Sequence, residues 1–352
     1  MNVYASHRIV VGMGQTKAVA VLGASGYTGA ELLRLLSSHP GFEVVAATAS
    51  SHEGMAVADV HPSLAAAYPG LSFGPSEASA ADGADLAFCA LPHGASQRLV
   101  PKLLGCTGHI VDLAADFRLK DAGLYPVWYG VEHSCPELLE VAVYGLPELD
   151  RAKLFGAKLV AAPGCYVTAS ALALAPFVRG GFVEPTGMVV DAASGVSGAG
   201  RKLAETTQFA TVDEDFTAYS LLHHRHTPEM EQAIGGQLIF TPHLAPMNRG
   251  ILATCYARPL AGGLDRRLDV LARAYRGEPF VVVSDRIPST KATLGSNTAH
   301  LTARVDDRTG WVVSLCALDN LVKGAAGQAV QCANAVMGWP ETSGLPLAGV
   351  AP

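Results

Sequence analysis

Charge is scarce in this sequence and nowhere gathered into a block. Asp, Glu, Lys and Arg make up 16% of the 352 residues and the formal net charge is −6. No Lys/Arg run of the kind that grips nucleic acid or an anionic membrane surface occurs, so neither partner is expected. An anionic ligand must therefore be held by a few placed cations, helix N-termini and backbone amides. No apolar run approaches the ~20 residues of a membrane helix, and the start lacks the apolar core of a signal peptide. The seven cysteines include no C-x-x-C pair and no disulfide-like spacing; a reducing, cytoplasmic setting follows. Repeats and low-complexity segments are absent as well.

What is present suits a compact α/β protein: 49% hydrophobic residues, 37 glycines, and enough length for two domains with separate cores. Residues 1–16 form no clear element and are read as a leader, either disordered or an extended translation start. Lys17 to Leu22, the glycine stretch Gly23 to Gly29, the amphipathic Ala30 to Ser37 and the apolar Phe42 to Thr48 predict strand, turn, helix and strand. Further strands are expected at Asp85 to Leu91, His109 to Leu113 and Lys158 to Ala162, with a helix near Ala95 to Leu104. This alternation implies a parallel sheet covered on both faces.

Beyond Cys165 the texture changes. Gly187 to Ala192, Gln237 to Pro242, Ile251 to Pro259, Phe280 to Ser284, Asn297 to Asp306 and Trp311 to Leu318 read as strands of a mostly antiparallel sheet in a second domain. Asp319-Asn320 can cap a last helix running through Met337.

Gly23, Gly26 and Gly29 are spaced G-x-x-G-x-x-G between the first strand and its helix, where glycines let backbone N–H groups approach a pyrophosphate. The second strand ends Thr48-Ala-Ser-Ser51, without the carboxylate that usually holds an NAD ribose. Ser50 and Ser51 could bond a 2′-phosphate, which favours NADP, although Glu53 stands slightly further on.

Cys165 sits in Ala161-Ala-Pro-Gly-Cys-Tyr-Val-Thr168, after a strand and before a helix expected from Thr168 to Val178. A sulfur at a helix N-terminus should have a depressed pKa. A small buried hydrophobe is the plain alternative. His223-His-Arg-His-Thr-Pro-Glu229 precedes a helix, with Thr227 as N-cap and Pro228 in the first turn. His224, His226 and Glu229 could suggest a metal, but no further His/Cys group has matching spacing, and none is expected. Acid–base work beside a nucleophile suits the histidines better. Asp116 and Arg118 fall on a loop beyond a strand end, Arg201 and Lys202 close the glycine-rich loop Ser194 to Gly200, and Arg249 precedes an apolar strand. Each could meet an anion or be an ordinary surface cation.

Taken together, GASGYTGAELLRLL, ALPHG at 90–94, DLAADFRL, APGCY, SGVSGAGR, HRHTPEMEQ and DNLVKGAAGQAVQ resemble the N-acetyl-gamma-glutamyl-phosphate reductases, relatives of aspartate-semialdehyde dehydrogenase. The motifs run in consistent order from about Lys17 to Met337. The resemblance implies a Rossmann-type parallel-sheet domain at 17–164, completed by the C-terminal helix at 320–352, and an α+β catalytic and oligomerisation domain at 165–319. It also implies NADPH-dependent reduction of N-acetyl-gamma-glutamyl phosphate to the semialdehyde by a homodimer or homotetramer. Valine at 167, where many relatives have proline, can adopt the same geometry.

In that chemistry the Cys165 thiolate displaces phosphate, and the thioester left on sulfur accepts hydride. His224 would be the acid–base partner, with His226 beside it in the substrate pocket. Arg118 would take the phosphate, Arg201, Lys202 and Arg249 the carboxylate, and Glu229 would join the substrate group. The cofactor would be lined by Gly23, Ser25, Gly26, Tyr27, Thr28, Gly29, Ser50, Ser51, Leu91, Pro92, His93, Gly94, Gly195, Ser197 and Asn320. Reduction of a carrier-linked aminoadipyl phosphate or of aspartyl phosphate is the alternative chemistry; a silent NADP-binding sensor is the alternative class.

Overall fold

The computed structural model describes residues 15–260 and 267–350. The expected leader lies almost wholly outside the described residues. Six strands form the first sheet: β1 (Lys17–Leu22), β2 (Phe42–Thr48), β3 (Leu86–Cys89), β4 (His109–Asp112), β5 (Val143–Tyr144) and β6 (Leu159–Ala161). Their order is β2-β1-β3-β4-β6-β5 and every pairing is parallel. β3 and β6 are buried along their whole length, as strands covered on both faces must be. β5 has only two residues, too short to carry a period, and escapes a reading from sequence.

Strand order reverses around β1, whose neighbours are β2 and β3. The crevice beyond the carboxyl ends of β1 and β3 is thus the switch point at which open α/β sheets bind ligands. The helix Tyr27–Leu36 begins inside the glycine stretch, earlier than its apolar periodicity suggests, and puts its N-terminus at that crevice.

The second sheet contains β7 (Met188–Gly195), β8 (Thr217–Ala218), β9 (Leu238–Ala245), β10 (Ile251–Ala257), β11 (Val281–Val283), β12 (Ala299–Val305) and β13 (Val312–Leu318). Its order is β11-β12-β13-β10-β7-β9-β8, with β11/β12 and β7/β9 parallel and the other pairs antiparallel. β10 shows the alternation of a one-sided sheet: Ile251, Ala253, Cys255 and Ala257 are buried, while Leu252, Thr254 and Tyr256 are half-buried on the other face. The buried face packs on the helix Cys165–Arg179, which is enclosed from Tyr166 through Ala175.

After β13 the chain returns to the first sheet. Asp319 Oδ1 accepts the N–H groups of Leu321 and Val322, at 2.9 and 3.1 Å. A wide π-turn at Val322–Ala326 then leads into the helix Gly327–Val336. Asp319 thus holds two N–H groups where this segment begins, but the cap position is Leu321, with no side-chain cap bond, and Asn320 bonds Ser197 and Gly250 instead; the π-turn is not visible in the sequence. Val322, Ala326, Ala329, Val330 and Ala333 join the core under β1 and β3.

Candidate active site

Pro163 and Gly164 end β6 and turn the chain directly into the helix, which starts at Cys165, three residues earlier than expected. Gly164 occupies the N-cap position, and its carbonyl accepts the first helical bond from Thr168 N–H at 2.9 Å. The sulfur therefore stands at the first helical residue, partly exposed, facing two cavities of about 250 and 570 Å³. Its pKa departs from expectation. Burial pushes the thiol up, and the Tyr166 amide and the Arg118 guanidinium, which pull it down, do not overcome that; Glu229 adds to the rise. Desolvation thus outweighs the helix N-terminus, and a base must help to remove the proton.

Glu229 is fully buried beneath the turn. Its Oε1 accepts the Gly164 N–H at 2.9 Å and the Tyr144 hydroxyl at 2.7 Å, while Oε2 faces Arg118 Nη1 at 3.3 Å. Arg118 also donates from Nε to the Ala162 carbonyl at 2.8 Å and from Nη2 to the Leu113 carbonyl at 2.7 Å. Arg118 still lines the smaller cavity. Glu229, expected on the substrate, instead spends its oxygens on the protein: it ties the cysteine turn to Arg118.

The two histidines play different parts. The His226 ring packs on Gly164, where an added methyl group would meet Nε2 at 2.5 Å, and it lines both cavities that contain Cys165. Its buried Nδ1 has no hydrogen-bond partner among the described residues, and burial holds its pKa well below the usual imidazole range. His224, expected as the proton acceptor, accepts the His226 N–H on Nδ1 at 3.1 Å and packs edge-on against Tyr166 and Phe240. It lines only the larger cavity, and burial lowers its pKa to about 4. Thr227, expected as the N-cap, is the first helical residue, with His226 in the cap position.

On the other side of the smaller cavity lies the glycine turn. Gly23 has φ +81°, and a Cβ there would sit 2.4 Å from the Ala90 carbonyl oxygen; at Gly29 it would sit 2.5 Å from Ala24 Cα. Those two glycines serve close packing within the protein. At Gly26 a Cβ would meet nothing nearer than 3.8 Å, and this residue is the N-cap of the helix Tyr27–Leu36 with no side chain on its N–H groups. An open cradle of amides at a helix N-terminus fits a pyrophosphate. Gly26, Tyr27, Thr28 and Gly29 share that cavity with His93, Ser197, Asn320 and Cys165.

Three comparisons with known proteins agree with this architecture. Residues 18–157 match the model for the NAD binding domain of semialdehyde dehydrogenase, and residues 165–320 match that for its dimerisation domain. N-acetyl-gamma-glutamyl-phosphate reductases from Magnetococcus marinus and Symbiobacterium thermophilum are each 47% identical over 95% of this chain, and over 98% and 99% of their own lengths. The chain belongs to the N-acetyl-gamma-glutamyl-phosphate reductase family. Among solved structures, aspartate semialdehyde dehydrogenase II from Vibrio cholerae superposes with TM-score 0.69 at 15% identity, covering 92% of this chain and 98% of that one. The Candida albicans enzyme with NADP gives 0.68 at 14%, covering 91% and 98%. At such identity the likeness speaks for the fold.

Within the reductase fold several expected contacts fall elsewhere. Arg249 is held at 3.1 Å by both Glu31 Oε1 and Asp319 Oδ1, so its charge is answered inside the protein, and with Lys202 it lines a separate cavity and neither of the two described at Cys165. Arg201 donates to the Ser25 carbonyl at 3.1 Å, which puts it on the cofactor side. Gly195 packs against the backbone of Asn248, where a Cβ would be 2.7 Å from the carbonyl oxygen; it lines the larger cavity with Cys165. Asn320 donates to Ser197 Oγ at 3.0 Å and accepts the Gly250 N–H at 2.7 Å. Gly94 N–H donates to Asp116 Oδ1 at 2.8 Å, and His93 Nδ1 accepts the Ala115 N–H at 3.0 Å. Ser50 and Ser51 are exposed beyond β2, and with Leu91 and Pro92 they line none of these cavities.

Three residues of the site are not among the candidates read from the sequence, although Arg225 and Gly324 lie within the motifs HRHTPEMEQ and DNLVKGAAGQAVQ. Gly324, in the π-turn, backs Cys165 so closely that a Cβ there would lie 2.8 Å from the cysteine Cβ. Tyr144 reaches Glu229 from β5. Arg225, between the two histidines, lines both thiol cavities. Among the described residues no group of three or more metal-ligating side chains occurs, and no helix is long and apolar enough to cross a membrane.

Proposed function

We infer that this protein reduces N-acetyl-gamma-glutamyl phosphate to N-acetylglutamate 5-semialdehyde with release of phosphate, using NADPH and a thioester on Cys165. The full-length 47% identity to reductases so named supports the substrate. The observation that carries the chemistry is a partly exposed cysteine at a helix N-terminus, flanked by His226 and sharing one cavity with the glycine turn.

His226, a neutral imidazole, takes the thiol proton as the C–S bond forms and returns it to the sulfur when the aldehyde leaves. Gly164 permits that approach, Glu229 fixes the turn through the Gly164 N–H, and Arg118, paired with Glu229, forms part of the cavity wall beside the thiol. The amides of Gly26 to Gly29 would hold the cofactor pyrophosphate, and Ser50 and Ser51, at the end of a strand with no ribose-binding carboxylate, would receive a 2′-phosphate. When bound, NADPH supplies hydride. A thioester accepts hydride more readily than a carboxylate, and covalent capture divides one difficult step into two. The dimerisation-domain match supports a homo-oligomer.

The test is phosphate-dependent reduction of NADP and of NAD with the N-acetylglutamate, aspartate and carrier-linked aminoadipate semialdehydes. Rapid turnover of the first with NADP is expected. A preference for another semialdehyde rejects the substrate, and nucleotide binding without any turnover favours a sensor.

A further inference from the structure

Three arginines reach the cavities at Cys165, and only one of them lines both. Of the two thiol cavities Arg201 lines only the smaller, on its cofactor side, where it donates to the Ser25 carbonyl at 3.1 Å. Arg118 is buried and its guanidinium faces Glu229 Oε2 at 3.3 Å, so that pair is close to neutral. Arg225 is exposed to both cavities that contain the thiol and has neither an ion pair nor a side-chain hydrogen bond among the described residues. Only its backbone carbonyl is engaged, by the Tyr129 hydroxyl at 3.3 Å. Asp116 and Asp215, which line cavities shared with Arg225, form no ion pair with it; Asp116 accepts the Gly94 N–H instead. Burial favours the neutral rings of His224 and His226 on either side of Arg225. The wall common to the two cavities therefore carries one uncompensated positive charge, and it is on Arg225.

We propose that Arg225 receives the phosphoryl group of the substrate and counters the charge that collects on phosphate as it leaves. This rests on the acyl-phosphate reading above. As the C–S bond forms, the C–O bond to phosphorus breaks and its electron pair goes to the phosphate oxygen. A cation already answered by a carboxylate gains little from that change, whereas an unpaired guanidinium can bond two phosphate oxygens at once. Position favours phosphate over the substrate carboxylate. Phosphate is bonded directly to the acyl group that meets sulfur, and Arg225 is common to both thiol cavities; the α-carboxylate lies three carbons away.

The deciding measurement runs the reaction backward, with inorganic phosphate and N-acetylglutamate semialdehyde as separate variable substrates. Arg225→Gln should raise the KM for phosphate by roughly tenfold or more, the worth of a charge-assisted hydrogen bond, while the KM values for semialdehyde and NADP change little. Arg225→Lys should recover part of the loss. Calorimetric titration of the NADP-loaded protein with inorganic phosphate reads the same site without turnover, and there Arg225→Gln should weaken binding by a similar factor. A higher KM for semialdehyde with phosphate unchanged would reassign Arg225 to the carboxylate and overturn the proposal. Unaltered phosphate affinity in a folded Arg225→Gln protein would overturn it too. Phosphate binding that depends on Arg225, without oxidation of this semialdehyde, would uphold the site while rejecting the substrate.

Discussion

His226 Nε2 lies against the α-carbon of Gly164, so near that a methyl group at 164 would come within 2.5 Å of it and within 2.7 Å of Cε1. The absence of a side chain at 164 lets the imidazole reach the residue next to the nucleophile. Both partners are buried, and the ring borders the two cavities that contain Cys165.

Gly164→Ala should therefore displace His226 and cut kcat by about 10²-fold, within the range for loss of a general base. The backbone at 164, φ −68° and ψ 148°, suits alanine, so the protein should still fold. NADP titration should show near-normal affinity. Unchanged kcat would remove His226 from proton transfer.

Alkylation of the ligand-free protein tests the raised thiol. Cys165 and Cys106 are the cysteines that are only partly buried, and the desolvation they do undergo pushes both upward from the usual value of 9.0. Iodoacetamide should label these two slowly at pH 7. The rate should climb about tenfold per pH unit toward 9, because the thiolate is the reactive form. N-acetylglutamate semialdehyde should protect Cys165 alone, and fast labelling at pH 7 would mean that the helix N-terminus prevails over desolvation after all. Cys165→Ser should lower turnover by at least ~10²-fold and keep NADP binding.

Arg249→Ala should damage stability more than substrate binding. Arg249 is mostly buried, and its removal leaves Asp319, at 0% exposure, without its cation, while Glu31 keeps Arg34 at 2.6 Å. Breaking such a pair costs about 3 kcal/mol. Urea unfolding should show a lower midpoint, while the surviving protein keeps its semialdehyde KM; a selective rise in that KM would return Arg249 to the substrate.

Stability should fall in mild acid. His39 is buried, its Nδ1 accepts the N–H groups of Gly41 and Phe42, and its Nε2 bonds Asn334 Oδ1, an arrangement that needs the neutral ring. Burial first of all lowers its pKa from 6.5 to about 4. The folded value is the depressed one, so its contribution is complete above pH 6.5 and is lost as pH drops from 6.5 to 4, on the order of 3 kcal/mol. His39→Asn keeps an acceptor near Nδ1 without titrating, and its unfolding free energy should vary less with pH across that window.

The sequence alone determined the two sheets and their main strand directions, through the order in which apolar strands and helices alternate, and the cysteine and glycine turns, through patterns contained within about ten residues. β1 and β2 fall where their apolar runs begin and end, and Cys165 was marked by the Pro-Gly stop before a run of small apolar residues. Elements set by partners distant in the chain were hidden: the two-residue β5, the π-turn that brings Gly324 against Cys165, and the pairing of Arg249 with Glu31. Charge assignments changed for the same reason. A cation's role depends on which carboxylate reaches it first, and Glu229 neutralises Arg118 across 111 positions while Arg225, four positions from Glu229, keeps its charge for a ligand. The thiol's pKa followed the same rule, since local sequence supplies the helix N-terminus and only the packed tertiary structure supplies the desolvation that outweighs it.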